Sequence, residues 1–387
     1  MRFTIDKAAL SAAMDALVRV AAHSSVPNME FEVRKDSLRI TATDMMNTLR
    51  LEVPCTGEGD GGFLLDGPMM APAVRELPDG MLAVTVGDTS LVFDWERGSC
   101  QMPVLAGETM PPVPKVGTRA DRPVRNLVLR RSDLRDIVAG IVPATADKEA
   151  DLRPVLGGVF FDVTADGVTA VGTDGQMLMT RRIDAPAAEA PYGFLVPKMA
   201  LVLLDRTADG DAEDVTLHCD GVAMSCVGER YRLASLCIDQ PFPAYRSIIP
   251  AGDGGRLTAD RKDLLGALRR VAALTSAKDE KDTAVFDIRN GAVRLEAQNL
   301  LDLATITEML PCEWSGDDIR FGFRIRRLLT MLSSTGAEKV SFVVTAADRP
   351  VLFLPEGDAA ARGVIMPVPV REFIEPDRKK RKKSAEK

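Results

Sequence analysis

The sequence predicts an α+β fold written three times in tandem, each copy with two helices packed on antiparallel sheets. Three observations predict it. An amphipathic register recurs at Leu10/Ala13/Met14/Leu17, Leu134/Ile137/Val138/Ile141 and Leu264/Ala267/Leu268/Val271, the i, i+3, i+4, i+7 spacing of one helix face. A basic residue sits three before each leading Leu: Lys7, Arg131 and Arg261. The leading leucines are 124 residues (10 to 134) and 130 residues (134 to 264) apart, domain-sized periods rather than the roughly 20–50-residue units of a solenoid.

Each third then repeats one plan. An opening strand (residues 3–5, 127–129, 256–258) leads into the first helix (7–22, 130–143, 260–275). Asp260 and Asp263 stand where an N-cap and an N3 acid belong. Alternating, β-branched pairs follow at 38–43 with 49–53, 168–172 with 178–183, and 293–297 with 304–309, the period-two pattern of strands. The second helix falls within 66–77, 197–206 and 324–333. Pro197 suits a first turn, where its missing N–H costs nothing, whereas Pro72 sits inside its helix. Strands at 82–86 with 91–95, 215–219 with 223–227, and 340–345 with 351–354 close each copy. Gly87-Asp88 and Asp220-Gly221 mark turns between them. Pro/Gly-rich connectors (111–123 and 250–255) divide the chain into domains 1–121, 122–251 and 252–370. Beyond 370 the patterns stop, and 371–387, with six consecutive basic residues at 378–383, reads as a disordered tail.

Composition excludes several classes. Of the 387 residues, 46% are hydrophobic and 5% aromatic, so the cores are aliphatic and Met-rich. No signal peptide and no apolar run of about 18 residues is present, which predicts a soluble, cytoplasmic protein. The six cysteines form no CxxC pair and read as buried structural thiols. The two histidines are far apart, and there is no zinc site, phosphate loop or GxGxxG. No cofactor, metal or catalytic constellation is expected. Asp174, in a Thr-Asp-Gly turn, lacks the paired carboxylate, His or metal cluster that an acid catalyst needs.

Charge is asymmetric. The six helix spans, taken as 7–22, 68–77, 130–143, 197–206, 260–275 and 323–335, hold 15 Lys/Arg against 7 Asp/Glu, on a chain of net −7. Cationic helices on an acidic body predict a helix-lined surface that meets phosphates, with the exterior repelling them. No zinc finger, RNP aromatics or long basic region accompanies the charge, so contact falls on the backbone without sequence preference.

Four segments then carry a family resemblance: Met1-Arg2-Phe3-Thr4-Ile5, Thr173-Asp174-Gly175-Gln176-Met177-Leu178, Phe242-Pro243-Ala244-Tyr245-Arg246 with Pro250, and Val364-Ile365-Met366-Pro367-Val368. On a threefold-repeated chain, in this order, they resemble the bacterial DNA polymerase III beta subunit, the β sliding clamp. The resemblance covers residues 1 to about 370. It implies a head-to-tail homodimer whose six clamp domains close a ring around double-stranded DNA, helices inside and strands outside. Such a ring is non-catalytic. It slides, is loaded by a clamp loader, and tethers the replicative polymerase and other proteins carrying a clamp-binding motif. The alternative is a secondary clamp paralogue serving repair, a mobile element or resistance.

The resemblance also implies sites. Channel residues would be Lys7, Arg19, His23, Arg75, Arg131, Arg135, Lys198, Arg206, Arg261, Lys262, Arg269, Arg270 and Arg324. The partner-peptide cleft would be walled by Leu156, Thr173, Gly175, Gln176, Met177, Leu178, Pro243, Ile248, Met366, Pro367 and Val368. The dimer interface would pair the strand at Cys100 and Met102 with the helix end at Ala273 and Leu274, Leu274 being the apolar anchor. This chain departs from the family pattern in four places. Gln176-Met177 replace a His-Arg, Arg324 and Arg327 replace an Asn and a Tyr, His23 replaces an Arg and is largely neutral at pH 7, and the tail runs past the usual end.

Overall fold

A computed structural model describes residues 1–21, 25, 27–58, 60–105, 109–147, 152–185, 190–208, 214–274, 282–298 and 304–370. His23 and the tail from 371 lie outside the described residues. The first third runs β1 (Arg2–Asp6), α1 (Lys7–Ala21), β2 (Asn28–Val33), β3 (Ser37–Thr43), β4 (Asn47–Glu58), β5 (Gly61–Asp66), α2 (Gly67–Glu76), β6 (Met81–Val86), β7 (Ser90–Trp95) and β8 (Gly98–Pro103). The middle third runs β9 (Arg125–Arg130), α3 (Arg131–Gly140), β10 (Gly158–Thr164), β11 (Gly167–Thr173), β12 (Met177–Ile183), β13 (Tyr192–Pro197), α4 (Lys198–Thr207), β14 (Asp214–Cys219), β15 (Ala223–Val227) and β16 (Tyr231–Leu236). The last runs β17 (Gly255–Asp260), α5 (Arg261–Leu274), β18 (Thr283–Arg289), β19 (Ala292–Gln298), β20 (Thr305–Leu310), β21 (Cys312–Ser315), β22 (Ile319–Arg324), α6 (Ile325–Ser333), β23 (Lys339–Val344), β24 (Val351–Pro355) and β25 (Ala361–Ile365).

The order strand, helix, strands, helix, three strands thus recurs three times. The last third has one extra strand because its run is divided at Pro311 into β20 and β21. In the first third the corresponding run is the single strand β4. Its first half pairs with β3 and its last residues with β1, as β20 pairs with β19 and β21 with β17.

Local chemistry sets the helix limits. The Asp6 carboxylate accepts the Ala9 N–H (2.9 Å), and Asp260 accepts those of Lys262 (2.8 Å) and Asp263 (3.1 Å), the N-caps of α1 and α5. The middle third expected a helix to 143, but α3 stops at Gly140. Pro143 sits in a 3-10 turn, Val142–Ala144. Pro72 does not prevent α2. Asp66 caps it through the Met69 N–H (2.8 Å), and Met70, Ala71 and Val74 are buried on its inner face. In α1, Leu10, Met14 and Leu17 are essentially inaccessible, each worth about 1.5–3 kcal/mol of burial.

Two compact units form, and they do not follow the thirds. The first is Met1–Arg135 with Tyr192–Gln240, and the second is Asp136–Pro191 with Pro241–Lys387. In the first unit one sheet has the path β8-β7-β6-β1-β4-β16-β15-β14-β9, with β2, β3 and β5 branching from it. In the second, β10-β11-β12-β25-β24-β23-β17-β21 are consecutive neighbours and β20-β19-β18-β22 form a separate sheet. Each unit therefore fuses two thirds along one strand pair, β4 with β16 and β12 with β25. All six cysteines are free thiols, four of them buried. No helix of the described residues is long and apolar enough to cross a membrane.

Candidate functional site

The basic residue that opens each first helix reaches the end of the second helix of its own third. The Lys7 ammonium meets the Asp79 carboxylate (3.0 Å), just past α2. Arg131 pairs with Asp205 (2.9 Å) in the last turn of α4 and also donates to the Asp205 carbonyl. Arg261 donates to the carbonyls of Ala337 (2.6 Å) and Leu332 (3.4 Å), at the end of α6. Cations at helix C-termini satisfy carbonyls and the dipole. The Lys7 and Arg131 side chains are only 14% and 12% exposed. The threefold basic signature is therefore a structural staple. Its three members are half-buried and engaged at these helix ends.

The other channel candidates divide by environment. Arg19, Arg206, Lys262 and Arg269 are exposed and make no ion pair among the described residues. Arg135 is exposed and Lys198 half-buried. Arg75 pairs with Asp15 (2.5 Å), and Arg270 with Glu308 (Nε to Oε2, 3.0 Å). Arg324 is half-buried at the N-cap of α6, with Nη1 donating to Thr283 Oγ1 (3.2 Å). Arg326, one residue inside α6, is an exposed cation that the family pattern does not point to.

The cleft residues gather in the second unit around the turn between β11 and β12. Thr173 Oγ1 donates to the Met177 carbonyl (2.6 Å) and accepts the Gly175 N–H (3.0 Å). Asp174 Oδ1 accepts the N–H groups of Gln176 (2.8 Å) and Met177 (2.7 Å). Gly175 has φ +87°, and a Cβ there would lie 3.7 Å from Leu156. The Met366 N–H binds the Gln176 carbonyl (2.8 Å), and the Val368 N–H binds that of Gly322 (2.8 Å). Behind the turn Leu178, Val171, Val364 and Tyr245 form a buried cluster flanked by half-buried Phe160, Phe242 and Ile249. Phe160 and Phe242 stack at 4.7 Å. The Tyr245 hydroxyl donates to Asp162 (2.8 Å), which also holds Arg246 (2.7 Å). Burial above all raises the Tyr245 phenol above its ordinary range. Pro243, Met366, Pro367 and Val368 are half-buried, Gly175, Gln176 and Ile248 exposed, and Leu156 and Met177 buried.

The first unit contains the same turn with different chemistry. Thr43 Oγ1 donates to the Asn47 carbonyl (3.0 Å) and accepts the Met45 N–H (3.1 Å). Asp44 Oδ1 accepts from Met46 (2.9 Å) and Asn47 (2.5 Å). Met45, in the place of Gly175, has φ +70°. Strand register equates Phe160, Val171, Leu178 and Val364 with Glu30, Thr41, Thr48 and Ala234. Only the second unit therefore offers large apolar side chains at this junction, as a peptide groove needs. The turns also differ in their second carboxylate oxygen. Asp44 Oδ2 accepts from the Asn47 side chain (2.9 Å). Met177 has no such donor, and Asp174 Oδ2 instead accepts Arg327 Nε from α6 (2.6 Å).

Among the strands with a single strand partner are β8, which pairs only with β7, and β20, which pairs only with β19, among the described residues. Both have partnered counterparts inside the units, since β16 (last strand of its third) pairs with β4 and β25 pairs with β12. Cys100 on β8 is half-buried, but Met102 is 4% exposed and turned into the protomer's own core opposite Leu91. Met102 therefore offers this edge its backbone rather than its side chain. Ala273 and Leu274 end α5 and are exposed, and Met309 on β20 is 58% exposed.

Residues 129–244 match the family model of the DNA polymerase III beta subunit central domain, and 246–369 that of its C-terminal domain. The chain is 26% identical over 340 residues to the beta sliding clamp of Synechococcus elongatus, covering 86% of this chain and 88% of that one. It is 25% identical over 388 residues to the clamp of Caulobacter vibrioides, covering 96% and 100%. The crystal structure of the DNA polymerase III subunit beta from Pseudomonas aeruginosa superposes with TM-score 0.84 at 22% identity, over 96% of this chain and all of that one. The Thermotoga maritima subunit does so with TM-score 0.84 at 20% identity and the same coverage. At these identities the structural likenesses establish the fold.

Proposed function

The chain belongs to the DNA polymerase III beta subunit family, and from that premise we propose that it is a DNA sliding clamp. Three clamp domains, 1–121, 122–251 and 252–370, meet those of a second copy head to tail. The resulting ring encircles duplex DNA and tethers the replicative polymerase. The observation that carries the ring is the strand bookkeeping. The last strand of a third pairs with the fourth strand of its neighbour at β16–β4 and again at β25–β12. Repeating that rule leaves β8 of one protomer for β20 of the next. An exposed edge is a template for such pairing, and a heterologous contact closes when the rotation permits.

Sliding follows from the charge. Exposed Arg19, Arg206, Lys262 and Arg269 supply shallow, salt-screened attraction to phosphates. A base-edge contact worth about 1–3 kcal/mol would pin the ring, so its absence favours motion. Retention rests on topology, and no catalytic step is assigned to the chain. Partners, the clamp loader and polymerase among them, dock linear peptides in the apolar cleft of the second unit. The protein works in the cytoplasm as the main clamp rather than a secondary copy. Topological linkage tests this. Loaded on nicked circular DNA, the protein should remain bound, and linearisation should release it from the ends. Retention on linear DNA would reject the clamp.

A further inference from the structure

Where β4 pairs with β16, Arg50 stands directly opposite Arg232. Like charges at opposed positions of an antiparallel pair are destabilising, with Cβ atoms only about 4.5–5.5 Å apart. Both arginines line one groove of about 450 Å³ in the first unit, together with Lys115 and the hydroxyl side chains of Thr48 and Ser225. No carboxylate lines it among the described residues. Arg232 and Lys115 are exposed, and neither makes an ion pair there. Arg50 is half-buried, and its Nε donates to Thr41 Oγ1 (3.1 Å). The acid that acts on Arg50 is Glu30 on β2, which forms no ion pair with it; burial and the neighbouring Glu32 raise the Glu30 carboxyl above its ordinary value.

The groove occupies the place that the apolar cleft holds in the second unit. There Thr180 and Arg362 stand opposite each other where Arg50 and Arg232 do, and Leu178 and Val364 replace Thr48 and Ala234. One construction thus appears with two chemistries. Three cations and two hydroxyls converge where the sheet would otherwise gain from a neutral pair. We propose that this groove is a second docking site, taking an acidic linear segment of a partner protein whose carboxylates bridge Arg50, Arg232 and Lys115. The choice of a peptide as occupant rests on the cleft reading above; the demand for an anion does not.

The test uses the full chain and a fluorescein-labelled octapeptide of alternating Asp and Ala, with its Asn isostere. The acidic probe should bind at least about tenfold tighter than the isostere and weaken steeply with salt. Arg232→Gln with Lys115→Gln should erase that difference. Arg232→Thr relieves the opposition and should leave the free chain no less resistant to urea, which separates lost binding from lost folding. Equal binding of the two probes, or discrimination that survives the paired substitution, overturns the proposal. So does a short labelled duplex whose affinity falls in the same variant, because phosphates would then be the occupant. An unlabelled Leu-Phe peptide should leave the acidic probe bound, and displacement would place both in one cleft and overturn the second site. Failure of the Leu-Phe peptide to bind at all would reject the apolar cleft instead.

Discussion

Removing the Arg327 guanidinium should loosen the turn that walls the apolar cleft, and a substitution on the turn itself should restore it. Arg327 is 18% exposed and Asp174 10%. Deleting one partner of a fully buried ion pair costs about 3–5 kcal/mol. Solvent still reaches this Arg, so Arg327→Met should cost about 2 kcal/mol locally, a factor of roughly 30 in the opening equilibrium. In the first unit Asn47 supplies the missing bond from within the turn (2.9 Å to Asp44). Met177→Asn in the Arg327→Met background should therefore recover about 1.5 kcal/mol, the low end for one hydrogen bond to a charged group. The assay is hydrogen exchange of the Gln176 and Met177 amides, both of which bind Asp174 Oδ1. They should exchange roughly 30-fold faster in Arg327→Met and slow by about tenfold in the double variant. Asn47→Met should open the Asp44 turn, where no arginine stands in among the described residues. Unchanged exchange in Arg327→Met, or a double variant as fast as the single, would refute the equivalence of the two turns.

Three further outcomes follow. Arg131→Gln should destabilise the chain by about 2 kcal/mol through the lost α4 staple while leaving duplex affinity unchanged. Arg269→Gln should do the reverse, lowering the slope of log affinity against log salt by about 0.9; thermal unfolding and salt titration separate them. Leu274→Glu with Met309→Glu places charge beside the free β20 edge, and sedimentation should show monomers; a persistent dimer would reject head-to-tail closure through this edge. Burial pushes the Asp220 carboxyl up, but the N–H groups of Ala223 (2.8 Å), Gly117 (2.9 Å) and Val222 (2.9 Å) outweigh it and hold the group below its ordinary 3.8. With the folded value depressed, the stabilisation is complete above about pH 4 and is lost as pH falls through the folded value. Asp220→Asn should cost about 1–2 kcal/mol at pH 7 and flatten the acid limb of stability measured by urea unfolding.

The periodic elements were legible in the chain because they need only local information. Helices α1, α3 and α5 follow from leucine spacing and the strands from alternation. Their ends were less so: Pro143 stopped α3 early, while Pro72 was absorbed by a capped, packed α2. Strands such as β8, β13 and β16 lack a strong alternation of their own and take their identity from the neighbours they pair with. The cleft segments were visible as motifs, and tertiary pairing gathered Thr173, Leu178, Tyr245 and Val364 at one junction.

Charge shows where sequence stops. Composition by itself determined that the helices are cationic and the remainder acidic. Which cations remain available was decided only by folding. Lys7, Arg131 and Arg261 look alike along the chain because they do one job, closing the far end of a helix some 70 residues away. Arg50 and Arg232, 182 residues apart, are unremarkable until one strand pair sets them face to face. A side chain's type is local, but its partner is chosen by the register of a sheet, and that register exists only once distant strands have met.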